Sequence, residues 1–148
     1  MADTTLDRIV ADVRRRLEVC SEAPGLEDAA LQAVDARRRG GIRSLGRALS
    51  TPGPALIAEC KKASPSAGLI REDFDAAALA GAYSSGGAAA ISLVTEHDSY
   101  LGDPRRLVEV RETVGLWVLR KDFIVCRRQL HVTAVLGAEA VLLIARLL

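Results

Sequence analysis

A carboxylate and an ammonium stand two residues apart at Glu59 and Lys61, at the end of the apolar run Ala55-Leu56-Ile57-Ala58. On a β-strand, residues i and i+2 point to the same face. The pair is therefore aimed side by side from a strand end, just before the turn Ser64-Pro65-Ser66. A second ammonium, Lys121, closes another apolar run, Trp117-Val118-Leu119-Arg120-Lys121. By alternation it shares a face with Leu119 and Trp117, while Arg120 points the other way. Charges at the buried end of a strand cost free energy unless they are used. A lysine can bind a carboxylate or phosphate as a point charge. With its pKa lowered by a second ammonium it can also act as a general acid. Such a cluster suits a substrate with anionic groups and a carbonyl oxygen to be protonated.

The elements that must position these groups follow from pattern. Leu6, Ile9, Val10, Val13, Leu17 and Cys20 fall at helical spacing. Thr4 followed by Asp7 predicts a capping box at the start of that helix. A second helix is predicted over residues 26–39, stopping at Gly40-Gly41. A short helical turn follows over 44–49, and Thr51-Pro52-Gly53-Pro54 breaks the chain. Residues 1–54 are thus expected to form a helical N-terminal extension.

After the break the texture becomes strand, helix, strand, helix. Strands are expected over 55–61, 88–94, 116–121 and 140–145. Helices are expected over 76–84 with Asp75 as cap, from Asp103-Pro104 to about Val114, and over 127–136 ending at Gly137. This alternation implies a parallel sheet under helices, either a (β/α) barrel or a doubly wound sheet. No GxGxxG follows the first strand and no Walker sequence occurs, which disfavours a dinucleotide or P-loop protein.

Composition sets outer limits. A net charge of +1 implies no general attraction to nucleic acid or to an anionic membrane. The runs Arg14-Arg15-Arg16 and Arg37-Arg38-Arg39 read as solvated helix faces. No apolar run is long enough to span a bilayer, and no signal peptide is expected before the first helix, because its apolar residues are interleaved with Asp and Arg. The three cysteines, Cys20, Cys60 and Cys126, match neither a disulfide framework nor a metal motif, so free thiols in a reducing cytoplasm are expected. His97 and His131 read as surface or loop residues rather than metal ligands.

Several segments resemble the indole-3-glycerol phosphate synthase family. They are Ile57-Ala58-Glu59-Cys60-Lys61-Lys62-Ala63-Ser64-Pro65-Ser66, Val118-Leu119-Arg120-Lys121-Asp122-Phe123-Ile124-Val125 and Ala138-Glu139-Ala140-Val141-Leu142-Leu143-Ile144-Ala145. Gly87-Ala88-Ala89-Ala90-Ile91-Ser92 and Thr95-Glu96 with Gly102 add to the match. Order and spacing agree over residues 55–148. The resemblance implies an α/β chain of the (β/α)8 TIM-barrel family, here a truncated half barrel of four parallel strands over 55–148 behind the helical extension. It implies ring closure and decarboxylation of 1-(2-carboxyphenylamino)-1-deoxyribulose 5-phosphate in tryptophan biosynthesis. Neither a metal nor an organic cofactor is implied.

Carried over by motif, Lys121 resembles the general acid that protonates the ribulose carbonyl oxygen. Lys61 resembles the lysine that holds the substrate's anionic groups, and Glu59 the carboxylate that positions that lysine. Ser64 would lie in a flexible loop over the site, while Phe123 and Tyr100 would wall an apolar pocket. Cys126 stands where the family commonly has Asp, which predicts a weakened cap on the following helix.

A (β/α) barrel takes about 200 residues or more, so the chain is expected to lack the later strands that carry the family's phosphate site and general base. It is expected to be inactive alone, and either to pair with a C-terminal half barrel or to self-associate. The alternative is a non-catalytic half-barrel remnant. Leu142, Leu143 and Ile144 would then meet water, at about 1.5 to 3 kcal/mol each if fully exposed.

Overall fold

The computed structural model describes residues 4–20, 23–40 and 43–147. Gly41 and Leu148, which figure in the expectations above, lie outside the described residues. The first helix, α1 (Thr5–Val19), opens on the expected capping box. The Thr4 hydroxyl accepts from the Asp7 amide at 3.2 Å, and the Asp7 carboxylate accepts from the Thr4 amide at 3.0 Å. These bonds satisfy amides that a helix start leaves unpaired. Ile9, Val10 and Val13 form its buried stripe. Helices α2 (Leu26–Arg39) and α3 (Leu45–Leu49) follow.

The arginine runs are not simply solvated. Arg37 docks α2 by donating to the carbonyls of Ala33, Ala134 and Ala138. Arg16 donates to the Asp98 carboxylate at 2.7 Å, and Arg128 reaches back to the Leu17 and Cys20 carbonyls at 2.6 Å each. The guanidinium fork suits such multi-acceptor contacts. The helical segment is thereby tied to the sheet-bearing part by arginine side chains as well as by apolar packing.

Strands β1 (Ile57–Cys60), β4 (Ala90–Val94), β5 (Trp117–Lys121) and β6 (Ala140–Val141) form one parallel sheet in the order β1-β4-β5-β6. Helix α4 (Ala76–Ser85) joins β1 to β4, α5 (Arg106–Thr113) joins β4 to β5, and α6 (Arg127–Leu136) joins β5 to β6. Each new parallel strand is added on the same side of its predecessor. With right-handed crossovers, that order lays all three helices on one face, the winding of a barrel and not of a doubly wound sheet.

Ala58, Cys60, Ile91, Leu93 and Val118 pack with Ala76, Ala80, Leu107 and Val110 in the core. The alternate residues therefore face the other way, and register sets Glu59, Ser92, Leu119 and Ala140 in one row across that inner face. Glu139 clamps the last unit by accepting from the Val118 amide at 2.8 Å.

Several details differ from expectation. The last strand covers two residues rather than six, and a 3₁₀ turn (Ala145–Leu147) follows. Among the described residues β6 pairs only with β5, so its ladder ends soon after the Leu142 amide bonds the Arg120 carbonyl. Leu143 is exposed there, while Leu142 and Ile144 are half-buried. Helix α5 begins at Arg106, not at Asp103-Pro104. The Asp103 carboxylate accepts from the Arg105 amide and guanidinium, and the Arg106 amide bonds the Asp103 carbonyl three residues back. This makes a tight turn that delays the helix.

Cys126 does not leave α6 poorly capped. Gln129 turns back, and its side-chain oxygen accepts from the Val125 and Cys126 amides at 2.8 and 3.2 Å. A short antiparallel hairpin, β2 (Ala63–Ser64) with β3 (Gly68–Leu69), was not anticipated. Ser64 therefore sits in a hydrogen-bonded turn, where its hydroxyl accepts from the Ala67 amide at 3.2 Å.

Candidate active site

Glu59 leaves the inner face of β1, Lys61 follows just past the strand end, and Lys121 closes β5. The Lys121 ammonium donates to Glu59 Oε2 at 2.6 Å. The Lys61 ammonium lies 3.2 Å from Glu59 Oε1. One carboxylate thus bridges two ammoniums, with one positive charge in excess. All three side chains keep some contact with solvent, from 27% exposed for Glu59 to 44% for Lys121.

Burial pushes the Glu59 carboxyl up, but the hydrogen bonds and charges of Lys121 and Lys61 outweigh it and hold it below the usual carboxylate range. On the opposite side of the same strand, burial and then the Glu59 charge push the Cys60 thiol up to about 11. That thiol is an inert core group.

These charges open onto a cleft of about 440 Å³ lined by Glu59, Lys61, Lys121, Ser64, Tyr100 and Thr5. The Ser64 and Ser66 hydroxyls stand 3.5 Å apart on its rim. Phe123 lies behind Tyr100, with ring centroids 6.2 Å apart at 41°. Five of the six site residues expected from sequence therefore line one cleft, and the sixth touches it through an aromatic neighbour. A larger cavity of about 620 Å³ lies between α2, α6 and β6. It is a seam between elements, because Arg37 is committed to carbonyls and Arg43 and Arg111 flank Glu139.

Some contributors were not anticipated. Thr5, in the first turn of α1, lines the cleft. Glu96, fully buried just after β4, organises the loop that carries Tyr100. Its carboxylate accepts from the amides of Asp98, Ser99 and Tyr100 at 2.8 to 3.0 Å. That loop folds back so tightly that a side-chain carbon on Gly102 would stand 2.6 Å from the Thr95 backbone, which only glycine avoids. On the helix-facing side of β5, Arg120 and Asp122 form a buried pair at 2.7 Å.

Two signals for the site were present. Arg120 and Asp122 obey the same i, i+2 rule that singles out Glu59 and Lys61. Only three of the twenty cationic side chains are lysines, Lys61, Lys62 and Lys121, and all three stand at these two strand ends. Arginine serves everywhere that a permanent charge suffices.

The family model described as indole-3-glycerol phosphate synthase matches residues 6–148. A curated protein of that name from Desulfotalea psychrophila is 48% identical over 146 residues, covering 97% of this chain and 54% of the relative. One from Geobacillus thermodenitrificans is 44% identical over 143 residues, covering 97% and 52%. One from Neisseria meningitidis is 53% identical over 92 residues, covering 62% and 35%. The chain spans about half the length of the curated relatives it matches.

Proposed function

The chain belongs to the indole-3-glycerol phosphate synthase family, and from that premise we propose that it supplies the proton-donating half of a ring-closing carboxy-lyase site. The substrate is 1-(2-carboxyphenylamino)-1-deoxyribulose 5-phosphate, bound over the C-terminal ends of β1 and β5. The single observation that carries this reading is the Glu59 carboxylate held between Lys61 and Lys121 at 3.2 and 2.6 Å.

Lys121 protonates the ribulose carbonyl oxygen as the aromatic carbon attacks, so that no free alkoxide has to form. Glu59 orients that ammonium and partly neutralises its neighbour. Lys61 holds an anionic group of the substrate, which the excess positive charge favours. Tyr100 and Phe123 wall the aromatic ring, and the Ser64 hairpin covers the mouth. Loss of carbon dioxide and then of water completes the indole. Residues 1–54 act as an extension whose α1 closes one side of the cleft through Thr5, and residues 55–148 supply the first four strands of the barrel with the three helices that connect them.

By family, the phosphate loops and the general base belong to later strands. A second half barrel, in the same polypeptide or in another, is therefore expected to pair with the edges of β1 and β6, which are open among the described residues. Leu56 just before β1, Ile57 on it and Leu143 beyond β6 are exposed, and unpaired edges invite strand addition. The test is indole fluorescence on mixing with substrate. The 148 residues alone are expected to give no measurable turnover, and the chain supplied with the remaining half of a relative is expected to turn over. Robust turnover by the lone chain would contradict this division of the site. A folded complex with no turnover would favour a non-catalytic half barrel.

A further inference from the structure

Resting on that reading of the site, we infer that Arg120, Asp122 and Thr95 are positioning residues for Lys121 and Phe123. They act from the opposite face of the sheet and touch no substrate. The chain alternates here, so Arg120 and Asp122 flank Lys121 but point among the helices. Arg120 donates through Nε to Thr95 Oγ1 at 3.1 Å, through Nη1 to the Gln129 carbonyl and Thr133 Oγ1 at 3.1 and 2.9 Å, and through Nη2 to Asp122 Oδ2 at 2.7 Å. Thr95 Oγ1 donates to the same Asp122 oxygen at 2.7 Å.

The backbone beneath the site is gripped at successive points. The Lys121 carbonyl accepts from the Thr95 amide at 3.0 Å. The Phe123 amide donates to Asp122 Oδ1 at 2.8 Å, and the Phe123 carbonyl accepts from the Gln129 side chain at 2.9 Å. The backbone roots of Lys121, at the end of β5, and of Phe123, just past it, are therefore set by the network, which makes no contact with their side chains.

Stability does not explain this construction. A buried ion pair is about as stable as, or less stable than, well-packed apolar residues of the same volume. What it adds is a directional geometry that apolar packing lacks. A lysine swings on a four-carbon stem, so the place of its ammonium depends on where the stem begins. A displacement of about 1 Å at a reacting group can cost about a hundredfold in rate. The 2.6 Å contact between Lys121 and Glu59 spans 62 residues of chain and needs a fixed root.

The test compares the reactivity of the three lysines in the full chain toward an amine-acetylating reagent, read by peptide mass spectrometry with Lys62 as internal reference. Glu59→Gln removes the negative charge that holds the Lys121 ammonium and is expected to raise Lys121 labelling at least threefold relative to Lys62. The double variant Arg120→Met with Asp122→Leu replaces the buried pair by apolar groups and is expected to stay folded. Thr95→Val is a milder version. Both are expected to raise the Lys121-to-Lys62 ratio at least twofold while the Lys61-to-Lys62 ratio stays within experimental scatter. Circular dichroism and melting confirm folding.

An unchanged Lys121 ratio in folded double and Thr95 variants, with a raised ratio in Glu59→Gln, would overturn the positioning inference and leave the site intact. A rise shared equally by all three lysines would also overturn it, because loosening of the whole fold produces that pattern. No rise in Glu59→Gln would remove the site geometry itself, and the inference with it.

Discussion

Two clusters of ion-paired side chains meet at the end of β5, one residue apart in sequence and on opposite faces of the sheet. The outer cluster, Arg120 with Asp122, is almost wholly buried. Its charges balance and the guanidinium donates from Nε and both terminal nitrogens. The inner cluster, Glu59 with Lys61 and Lys121, is partly open to solvent and carries one positive charge too many. The first has almost no hydrogen-bonding capacity left to offer a ligand, whereas the second has ammonium protons free to turn elsewhere. On the proposed reading of the site, closely related side chains therefore serve as scaffold or as reagent according to whether their surroundings complete them.

The contrast can be broken most forcefully at its reactive end. Lys121→Ala is expected to lower turnover of the complemented site by about a hundredfold or more, the usual yield of a general acid. Indole fluorescence at saturating substrate measures it, and a near-normal rate would remove Lys121 from the chemistry. On the buried side, Asp122→Ala alone leaves the Arg120 charge unpaired and is expected to cost about 3 to 5 kcal/mol. Urea unfolding should show that loss, together with recovery of most of it when Arg120→Met and Asp122→Leu are combined.

A third comparison sets Cys60, beside Glu59 on β1, against the other two thiols. Iodoacetamide at pH 8 should alkylate Cys20 and Cys126, which are exposed, and spare Cys60, whose thiol is buried and pushed up to about 11. Modification of Cys60 at the rate of the other two in folded protein would mean that the strand is not packed as described. The smallest effect concerns pH. The folded-state pKa of Glu59 lies below its ordinary value, so the carboxylate contributes stability above that ordinary value and loses it as pH falls through the lower, folded one. Glu59→Gln should therefore flatten the acid limb of the melting-temperature profile below about pH 4, while changing neutral-pH stability by less than about 1 kcal/mol. An unaltered acid limb would show that the two ammoniums do not hold the carboxylate in solution.

Much of the architecture is legible before any coordinates, for local reasons. The capping box at Thr4 and Asp7, the Asp75 cap of α4 and the stop at Gly137 are encoded within a few residues of where they act. Periodicity likewise marks the strands and the side of β5 on which Lys121 stands. What escapes is non-local or is decided by competition. Asp103 has the residue type of a helix cap, but Arg105 claims its carboxylate and the helix starts later. The last apolar run reads as a six-residue strand, yet ladder length depends on neighbours, and β6 has one partner among the described residues. Arg16 and Arg37 look like solvated charges because their acceptors lie 82 to 101 residues away.

The amino-acid order alone determined which side chains could be reagents, the face of the strand each occupies, and the family to which the chain belongs. Alternation and motif spacing are properties of the covalent chain, and they survive without a partner. Only the folded structure decided that the Lys121 ammonium donates to Glu59, 62 positions away, at 2.6 Å, and that Arg120 and Asp122 spend their charges on one another. The physical reason is that parallel strands meet through long crossovers. Register between them, and with it the distance between charges, is set by the packing of helices against the sheet.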